Sequence, residues 1–268
     1  MRRRHVVAVP QAGSGDLKTV AVIQARMGSS RLPGKVLATL EGESVLGRTV
    51  ERARAIGGVD EVVVATTRAS ADDAVVQEAE RLNVSSTRGS EHDVLSRYVE
   101  AARLHGADVV VRITSDCPLL DPAASSRVVA ALHDRLRAGE LVDYASNTIE
   151  RRYPRGLDTE AFTSTALERV HRVAQAPRER EHVTLYMYEH PAEFTLVSVP
   201  GDADHASHRW TVDTERDLEM VRQVYARLDA VAHRAGPGRI FGMDEVLALL
   251  EREPWIAAIN ADVEQKRT

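Results

Sequence analysis

Three cationic side chains, Arg26, Arg31 and Lys35, stand among glycines and serines in the segment QARMGSSRLPGK, residues 24–35. A loop of this composition can present backbone N–H groups to an anion while its cations neutralise the anion's charge. The segment directly follows residues 19–23, a run of strand-forming residues. We therefore expect a loop at the carboxyl end of a strand that binds a polyphosphate.

The spacing within this loop excludes two common phosphate-binding motifs. A P-loop requires Gly, four residues, and then Gly-Lys-Ser/Thr. Here five residues separate Gly28 from Gly34, and Val36 occupies the place of the hydroxyl that would bind magnesium. The dinucleotide pattern Gly-x-Gly-x-x-Gly is also absent. The segment is therefore a third kind of phosphate loop.

Carboxylates follow two later strand patterns. Asp116 comes after residues 108–113, and Asp213 comes after a short predicted strand at 209–212. Ligands of open parallel sheets lie beyond the carboxyl ends of the strands, so both carboxylates are expected to meet the cationic loop. Together they could hold a hard divalent metal ion. Asp213 could instead serve as the N-cap of the following helix, as could Thr214.

Strand and helix patterns alternate through the first half of the chain. The apolar spacing predicts strands at residues 19–23, 61–65 and 108–113, and helices at 45–56, 71–82, 92–105 and 121–138. Asp121, directly before Pro122, is expected to cap the last of these helices. Short connections between the elements favour a mainly parallel sheet. We predict an α/β fold, a Rossmann-like sheet flanked by helices.

The alternation ends after residue 143. Beyond it the sequence predicts helices at 164–174, 180–190, 215–228 and 243–251, and strands at 194–199 and 209–212. We divide the chain into a flexible leader (1–17), a single domain (18–240) and a C-terminal helix and tail (241–268). Residues 144–200 would be an inserted segment for substrate binding or dimerisation. Six aromatic residues in it could form a two-fold interface or only a local core: Tyr144, Tyr153, Phe162, Tyr186, Tyr188 and Phe194.

Composition narrows the range of partners. The net charge is −5, so no global field favours nucleic acid and the cationic cluster must serve a small anion. One cysteine, Cys117, excludes a disulfide framework and fits a cytoplasmic location; we expect it to be a packed thiol rather than a nucleophile. No stretch approaches the length of a membrane span, so no membrane partner is expected.

Six segments, in this order, carry a resemblance to a known family. They are VIQARMGSSRLPGK (22–35), RGSEHDVLSRY (88–98), RITSDCPLLD (112–121), PRGLDTE (154–160), REHVT (180–184) and RWTVDTERDL (209–218). With them the chain resembles the cytidylyltransferase superfamily, the CMP-sugar synthetases for acidic sugars such as Kdo and sialic acids. It is most similar to the branch labelled spore-coat polysaccharide biosynthesis protein F.

The resemblance implies a nucleotidyltransferase domain of the GT-A-like type that uses CTP and forms a homodimer. It implies a triphosphate bound by the loop, with Mg²⁺ as cofactor on Asp116 and Asp213, and a pyrimidine near Thr66, Thr67, Arg88 and Ser90. The nucleotide-binding residues of the loop are then Gln24, Ala25, Arg26, Gly28, Ser29, Ser30, Arg31 and Lys35. Arg26, Lys35 and Asp116 would be the catalytic residues.

The acceptor is expected to be a small anion, either an acidic sugar or a phosphonate. Its oxygen would attack the α-phosphorus in line and pyrophosphate would leave; an anionic acceptor needs no strong base, and none is evident. Candidate acceptor-binding residues are Arg152, Arg155, Asp158, Glu160, Arg178, Arg180 and His182. The arginines could instead balance Glu150, Glu179 and Glu181 at the surface.

Two other functions remain open at the level of sequence. Asp202 and Asp204 form the Asp-x-Asp pattern of many glycosyltransferases that use a sugar nucleotide as donor. A nucleotide-binding protein without catalytic activity is the third possibility.

Overall fold

The computed structural model describes residues 17–236 and 238–264. Apart from Leu17, the predicted leader lies outside the described residues. The elements, in chain order, are β1 Thr19–Gln24, β2 Thr39–Leu40, β3 Glu43–Ser44, α1 Val45–Arg54, β4 Glu61–Thr67, α2 Asp73–Arg81, β5 Ser85–Gly89, α3 Val94–Leu104, β6 Val109–Thr114, α4 Pro122–Arg137, β7 Tyr144–Ser146, β8 Glu160–Thr163, α5 Ser164–Val173, α6 Pro177–Glu181, α7 Leu185–Glu189, β9 Leu196–Ser198, α8 Glu215–Ala235, α9 Met243–Arg252 and α10 Pro254–Ala258.

A seven-stranded sheet organises the molecule, in the order β5-β4-β1-β6-β8-β7-β9. All neighbouring pairs are parallel except the two made by β8, which runs against both β6 and β7. The strand β1 lies between β4 and β6, and its residues from Val20 to Ile23 are fully buried. Burial on both faces explains why this strand is apolar without alternation. The predicted α/β fold with a mainly parallel sheet is confirmed.

Helices cover both faces of the sheet. On one face Ile23 and Val64 pack with residues of α1 and α4, and on the other Val22 and Val63 pack with residues of α3 and α5. A third cluster joins α8, α9 and α10 around Trp210. The chain therefore brings its C-terminal helices beside the loops that follow β1 and β6.

Several predicted elements differ from the observed ones. Residues 180–190 are not one helix, because α6 ends at Glu181 and Val183 has a left-handed φ of 56°, which breaks the helical path. Residues 209–212 form only a bridge between Arg209 and Arg155 instead of a strand. Five strands were not predicted: β5 is the polar sequence SSTRG, β7 and β8 are only three and four residues long, and β2 and β3 have two residues each.

The aromatic residues of the inserted segment mostly serve the core. Tyr144, Tyr153, Phe162 and Phe194 are buried, whereas Tyr188 is 42% exposed. These four side chains therefore support a local core rather than an interface. Among the described residues, no helix is long and apolar enough to cross a membrane.

Candidate active site

The cationic loop is shaped by its own backbone. Gly34 has a left-handed φ of 73° and precedes the 3₁₀ turn Lys35–Leu37. Its N–H donates to the carbonyl of Met27 at 3.0 Å, which closes the loop, and the N–H of Met27 donates to Oδ1 of Asp72 at 2.7 Å. Because a side chain would be strained at this φ, glycine is required where the chain turns into Lys35.

Lys35 joins three distant segments. Its Nζ donates to Oδ2 of Asp116 (2.8 Å), to the carbonyl of Val212 (2.7 Å) and to Oδ1 of Asp213 (2.8 Å). The ammonium has three N–H donors, so this arrangement uses all of them. The structure thus brings together the loop after β1, the turn after β6 and the segment before α8, as the sequence predicts.

Asp213 lies within a network of cations. Its Oδ2 is 2.9 Å from Nη2 of Arg31 and accepts from Nη2 of Arg209 at 2.8 Å. The N-cap of α8 is Thr214, whose hydroxyl accepts from the N–H of Asp217. The alternative in which Asp213 is the cap is therefore wrong, and its carboxylate faces the loop.

The charges of this network stabilise each other. Burial alone would raise the pKa of Asp213, but Lys35, Arg31 and Arg209 outweigh burial and hold that pKa below its usual range. Burial alone would lower the pKa of Lys35, but Asp116 and Asp213 outweigh it and raise that pKa above 10.5. At neutral pH the lysine is an ammonium between two carboxylates.

The loop and the carboxylates line one cleft of about 300 Å³. Of the predicted site residues, its wall contains Gln24, Ala25, Arg26, Gly28, Ser29, Ser30, Arg31, Lys35, Asp116, His182 and Asp213. Further lining residues that were given no role from the sequence are Val36, Val94, Arg97, Arg112, Thr114, Ser115 and Glu181. The cleft therefore combines five arginine and lysine side chains with the carboxylates of Asp116, Glu181 and Asp213.

Arg97 and Arg112 are the important residues that sequence reasoning missed. Arg97 is 3% exposed, its Nε has no partner, and its Nη1 donates to the carbonyl of Ser90 at 3.0 Å. Burial lowers its pKa. Arg112 pairs with Glu160, and its Nε is also buried without a partner. The signal for Arg112 was a charge inside the otherwise apolar strand VVVRIT.

The residues expected near a pyrimidine lie on the adjoining strands. Thr66 and Thr67 are buried at the end of β4, and the hydroxyl of Thr67 bonds Asp72. Arg88 donates to the carbonyl of Thr67 at 2.8 Å and to Asp73 at 2.6 Å. The carbonyl of Ser90 accepts from Arg97, which lines the cleft. The residues that line the cleft do not include Thr66, Thr67, Arg88 or Ser90.

The four arginines that were expected to bind the acceptor contact different residues and do not form one site. Arg152 pairs with Glu150 at 2.6 Å, as the surface alternative predicts. Arg178 pairs with Glu189 at 3.0 Å, and Arg180 pairs with Asp93.

Arg155 faces a different cavity, beside His208 and Trp210. Asp158 pairs with Arg151 at 2.7 Å, and Glu160 is buried against Arg112. Of the seven predicted acceptor-binding residues, His182 is the one that lines the cleft.

The carboxylate pair meets the requirements of a hard divalent cation. Asp116 and Asp213 direct one oxygen each at the same ammonium, which shows that a single positive charge can sit between them. Mg²⁺ is commonly bound through one or two carboxylates, with water and substrate phosphates completing its octahedron. Among the described residues, no group of three or more His, Cys, Asp or Glu side chains is arranged to hold a metal ion.

Other candidates for chemistry are explained by packing. Cys117 is buried, and burial raises the pKa of its thiol well above 9.0, as expected for a packed thiol. Asp121 accepts from the N–H of Ala124 and caps α4, as predicted. Asp202 is 94% exposed at its side chain and pairs with Arg127, outside the cleft. The Asp-x-Asp pattern therefore lies apart from the cationic loop.

The sheet topology, the cationic loop and the converging carboxylates define a nucleotidyltransferase. A cytidylyltransferase family model matches residues 20–265, so the chain belongs to that family and is a CTP-dependent nucleotidyltransferase.

Named relatives are similar over most of the chain. It is 31% identical over 240 residues to the spore coat polysaccharide biosynthesis protein SpsF of Bacillus subtilis, covering 87% of this chain and 94% of that protein. It is 31% identical over 237 residues to the 3-deoxy-manno-octulosonate cytidylyltransferase of Anaeromyxobacter dehalogenans, covering 76% and 96%. A solved cytidylyltransferase from Leptospira borgpetersenii matches with a TM-score of 0.80 and 30% identity, covering 94% of this chain and 100% of that one.

Proposed function

We propose that the protein transfers the cytidylyl group of CTP to a small anionic acceptor, either an acidic sugar or a phosphonate, with Mg²⁺ as cofactor and pyrophosphate as product. The observation that carries this proposal is the convergence of Lys35, Asp116 and Asp213 beside the cationic loop in one cleft. The relative from Anaeromyxobacter dehalogenans is named for an acidic sugar, which agrees with an anionic acceptor.

The loop would hold the triphosphate. Arg26 lies 3.9 Å from Glu91 and is 43% exposed at its side chain, so this weak pairing leaves it able to turn to a phosphate. Arg31 and Lys35 would share their charge between the phosphates and Asp213. Ser29 and Ser30 add hydroxyl donors, and Gly28 lets the backbone approach closely. The nucleotide is thereby oriented with its α-phosphorus toward the carboxylates.

Asp116 and Asp213 would hold Mg²⁺. The bound ion would neutralise charge on the triphosphate and on the departing pyrophosphate. The protein contributes the position of the two carboxylates, which Lys35 and Arg209 fix in the cleft. Arg26 and Lys35 would stabilise the negative charge that develops on the equatorial oxygens of the α-phosphate.

The acceptor would lie against His182, Arg97 and Arg112, all of which line the same cleft. Arg97 is buried without a carboxylate in hydrogen-bond contact, so an anion in the cleft would supply the counter-charge that it lacks. An acceptor that is already deprotonated needs no general base. Its oxygen would attack the α-phosphorus in line as pyrophosphate leaves.

A pyrophosphate-release assay with CTP and Mg²⁺ tests the proposal across keto-acid sugars, sugar phosphates, phosphonates and neutral polyols. We expect release with an anionic acceptor, and loss of it in Asp116→Asn. Asp202→Asn is the matched control, because Asp202 is an exposed aspartate outside the cleft and should leave turnover unchanged. Preference for a neutral polyol would refute the anionic acceptor. Transfer from a UDP-sugar that depends on Asp202 would favour the glycosyltransferase instead.

A further inference from the structure

A second cavity of about 300 Å³ lies between the segment before α8 and the C-terminal helix α10. Its polar lining consists of Arg155, Ser207, His208, Arg209 and Asn260. Its apolar lining consists of Ala206, Trp210, Met220, Ala257, Ala261 and Val263. The cavity shares no lining residue with the cleft of Lys35, and its lining contains no aspartate or glutamate. Arg209 is already paired with Asp213 and Asp217, so the cavity's affinity for an anion depends on Arg155.

Arg155 is the side chain available to such an anion. Its backbone is fixed, since its N–H donates to the carbonyl of His208 at 3.0 Å and its carbonyl accepts from Trp210 at 2.7 Å. Its guanidinium makes no ion pair or side-chain hydrogen bond within residues 17–236 and 238–264, although it is partly buried. Partial burial and the nearby Arg151 and Arg209 lower its pKa, so a bound anion would restore the balance of charge.

Trp210 gives the second, independent observation. Trp210 is one of the residues beside the cavity, its side chain is fully buried, and its indole Nε1 has no hydrogen-bond partner among the described residues. Buried donors of this kind are normally paired, so an unpaired one in a cavity wall indicates a missing acceptor. Beside it, Ala257, Ala261 and Val263 of the C-terminal segment offer an apolar surface.

We propose that this cavity is a second ligand site that binds a small organic anion, with its carboxylate or phosphate against Arg155, where it can also accept from the indole N–H of Trp210, and with its apolar part against Ala257 and Val263. The site is separate from the cleft for CTP and does not depend on the acceptor proposed above. It nevertheless adjoins that cleft, because Arg209 lines the cavity and also donates to Asp213 at 2.8 Å.

Trp210 itself can report occupancy. The sequence contains two tryptophans, and Trp255 is half-exposed on α10 with Arg227 over its ring. In a Trp255→Phe background, indole emission comes from Trp210 alone. Phenyl phosphate is the probe, because it combines an anionic head with an apolar ring. Inorganic phosphate measures the binding of the anionic group alone, and benzyl alcohol measures the binding of the aromatic ring alone.

We expect phenyl phosphate to change Trp210 emission in a saturable way and to bind more tightly than either control. Arg155→Ala should weaken binding about tenfold or more, since it removes the charged hydrogen bonds to the anion. Arg155→Lys should lose less. Arg152→Ala is the matched control, because Arg152 is an exposed arginine nearby that pairs with Glu150, and it should bind as before.

Three outcomes would overturn the proposal. One is the absence of a saturable change in emission. Another is a change that Arg155→Ala leaves intact. The third is a change abolished by Arg31→Ala instead, which would place the probe in the cleft of the loop. Arg155→Ala should fold normally because this side chain has no partner to lose, and its melting temperature checks that point.

Discussion

Replacing Lys35 by methionine should destabilise the protein when no metal is bound. The substitution keeps the length and packing of the side chain but leaves Asp116 and Asp213 without the ammonium that each contacts at 2.8 Å. Removing one partner of a buried ion pair costs about 3–5 kcal/mol.

Here the expected cost is lower. The two aspartate side chains are 23% and 17% exposed, and Asp213 keeps Arg31 and Arg209. We therefore expect a loss of about 2–3 kcal/mol in the free energy of unfolding. For a chain of this size that corresponds to a fall in melting temperature of about 4–12 °C.

Thermal and urea unfolding in a chelating buffer measure this loss, and Lys18→Met is the matched control. Lys18 also pairs with a carboxylate, Glu61 at 2.9 Å, but its side chain is 42% exposed, so its loss should cost about 0–1 kcal/mol. Adding Mg²⁺ should stabilise Lys35→Met more than the wild type, because the ion can bind the vacated carboxylates without competition from the ammonium. Equal melting temperatures for Lys35→Met and Lys18→Met would refute the reasoning.

The same variant has a predicted pH dependence. The pKa of Asp213 is below its usual range in the folded state. The ionised carboxylate therefore contributes fully to the free energy of unfolding above its unfolded pKa of about 3.9, and this contribution is lost as the pH falls through the pKa of the folded state. The pKa of Lys35 is raised above 10.5 in the folded state. The ammonium therefore contributes fully to the free energy of unfolding below its unfolded pKa of about 10.4, and this contribution is lost as the pH rises through the pKa of the folded state. The stability gap between wild type and Lys35→Met should therefore be widest near neutral pH and shrink at both extremes.

Further predictions concern the cleft and the assembly. Asp213→Asn should lower turnover about a hundredfold or more while the protein stays folded, because the metal site loses a charge; unchanged turnover in a stopped assay would contradict the role of Asp213. Arg97→Met should leave the melting temperature unchanged or raised, since this buried charge has no carboxylate in contact, and should raise the KM for CTP or the acceptor about tenfold; steady-state kinetics with both substrates decide between them. Light scattering should show a homodimer, as the resemblance implies, and a monomer at micromolar concentration would discard it.

The sequence predicts well those elements whose structure is determined by the residues of the same segment. The strand β1 is an unbroken apolar run because both of its faces are buried, and the loop after it carries its glycines where the backbone turns. The position of Asp116 after β6 follows from a general property of parallel sheets, whereas Asp213 follows no strand of the sheet and reaches the cleft through tertiary contacts. These inferences needed no knowledge of side-chain directions.

The parts that were missed depend on tertiary contacts. The polar strand β5 has no apolar signal of its own and is defined by pairing with β4. The four arginines of the inserted segment cannot be distinguished from the sequence. In the structure, Arg152 and Arg178 form ion pairs with nearby glutamates, whereas Arg155 faces another cavity. Arg97 gave no signal because one charge on an otherwise apolar helix face can equally point to solvent.

The contacts of Lys35 with Asp116 and Asp213 join residues that are far apart in the sequence, and this affects when they can form during synthesis at the ribosome. Lys35 meets Asp116 at a separation of 81 residues and Asp213 at a separation of 178 residues. Chains emerge from their N-terminus at about 5–20 residues per second, so the cationic loop leaves the exit tunnel long before Asp213 exists. Translation that stops before Asp213 leaves Lys35 without one of its two carboxylate partners. The cleft therefore gains Asp213, one of its lining residues, only late in synthesis.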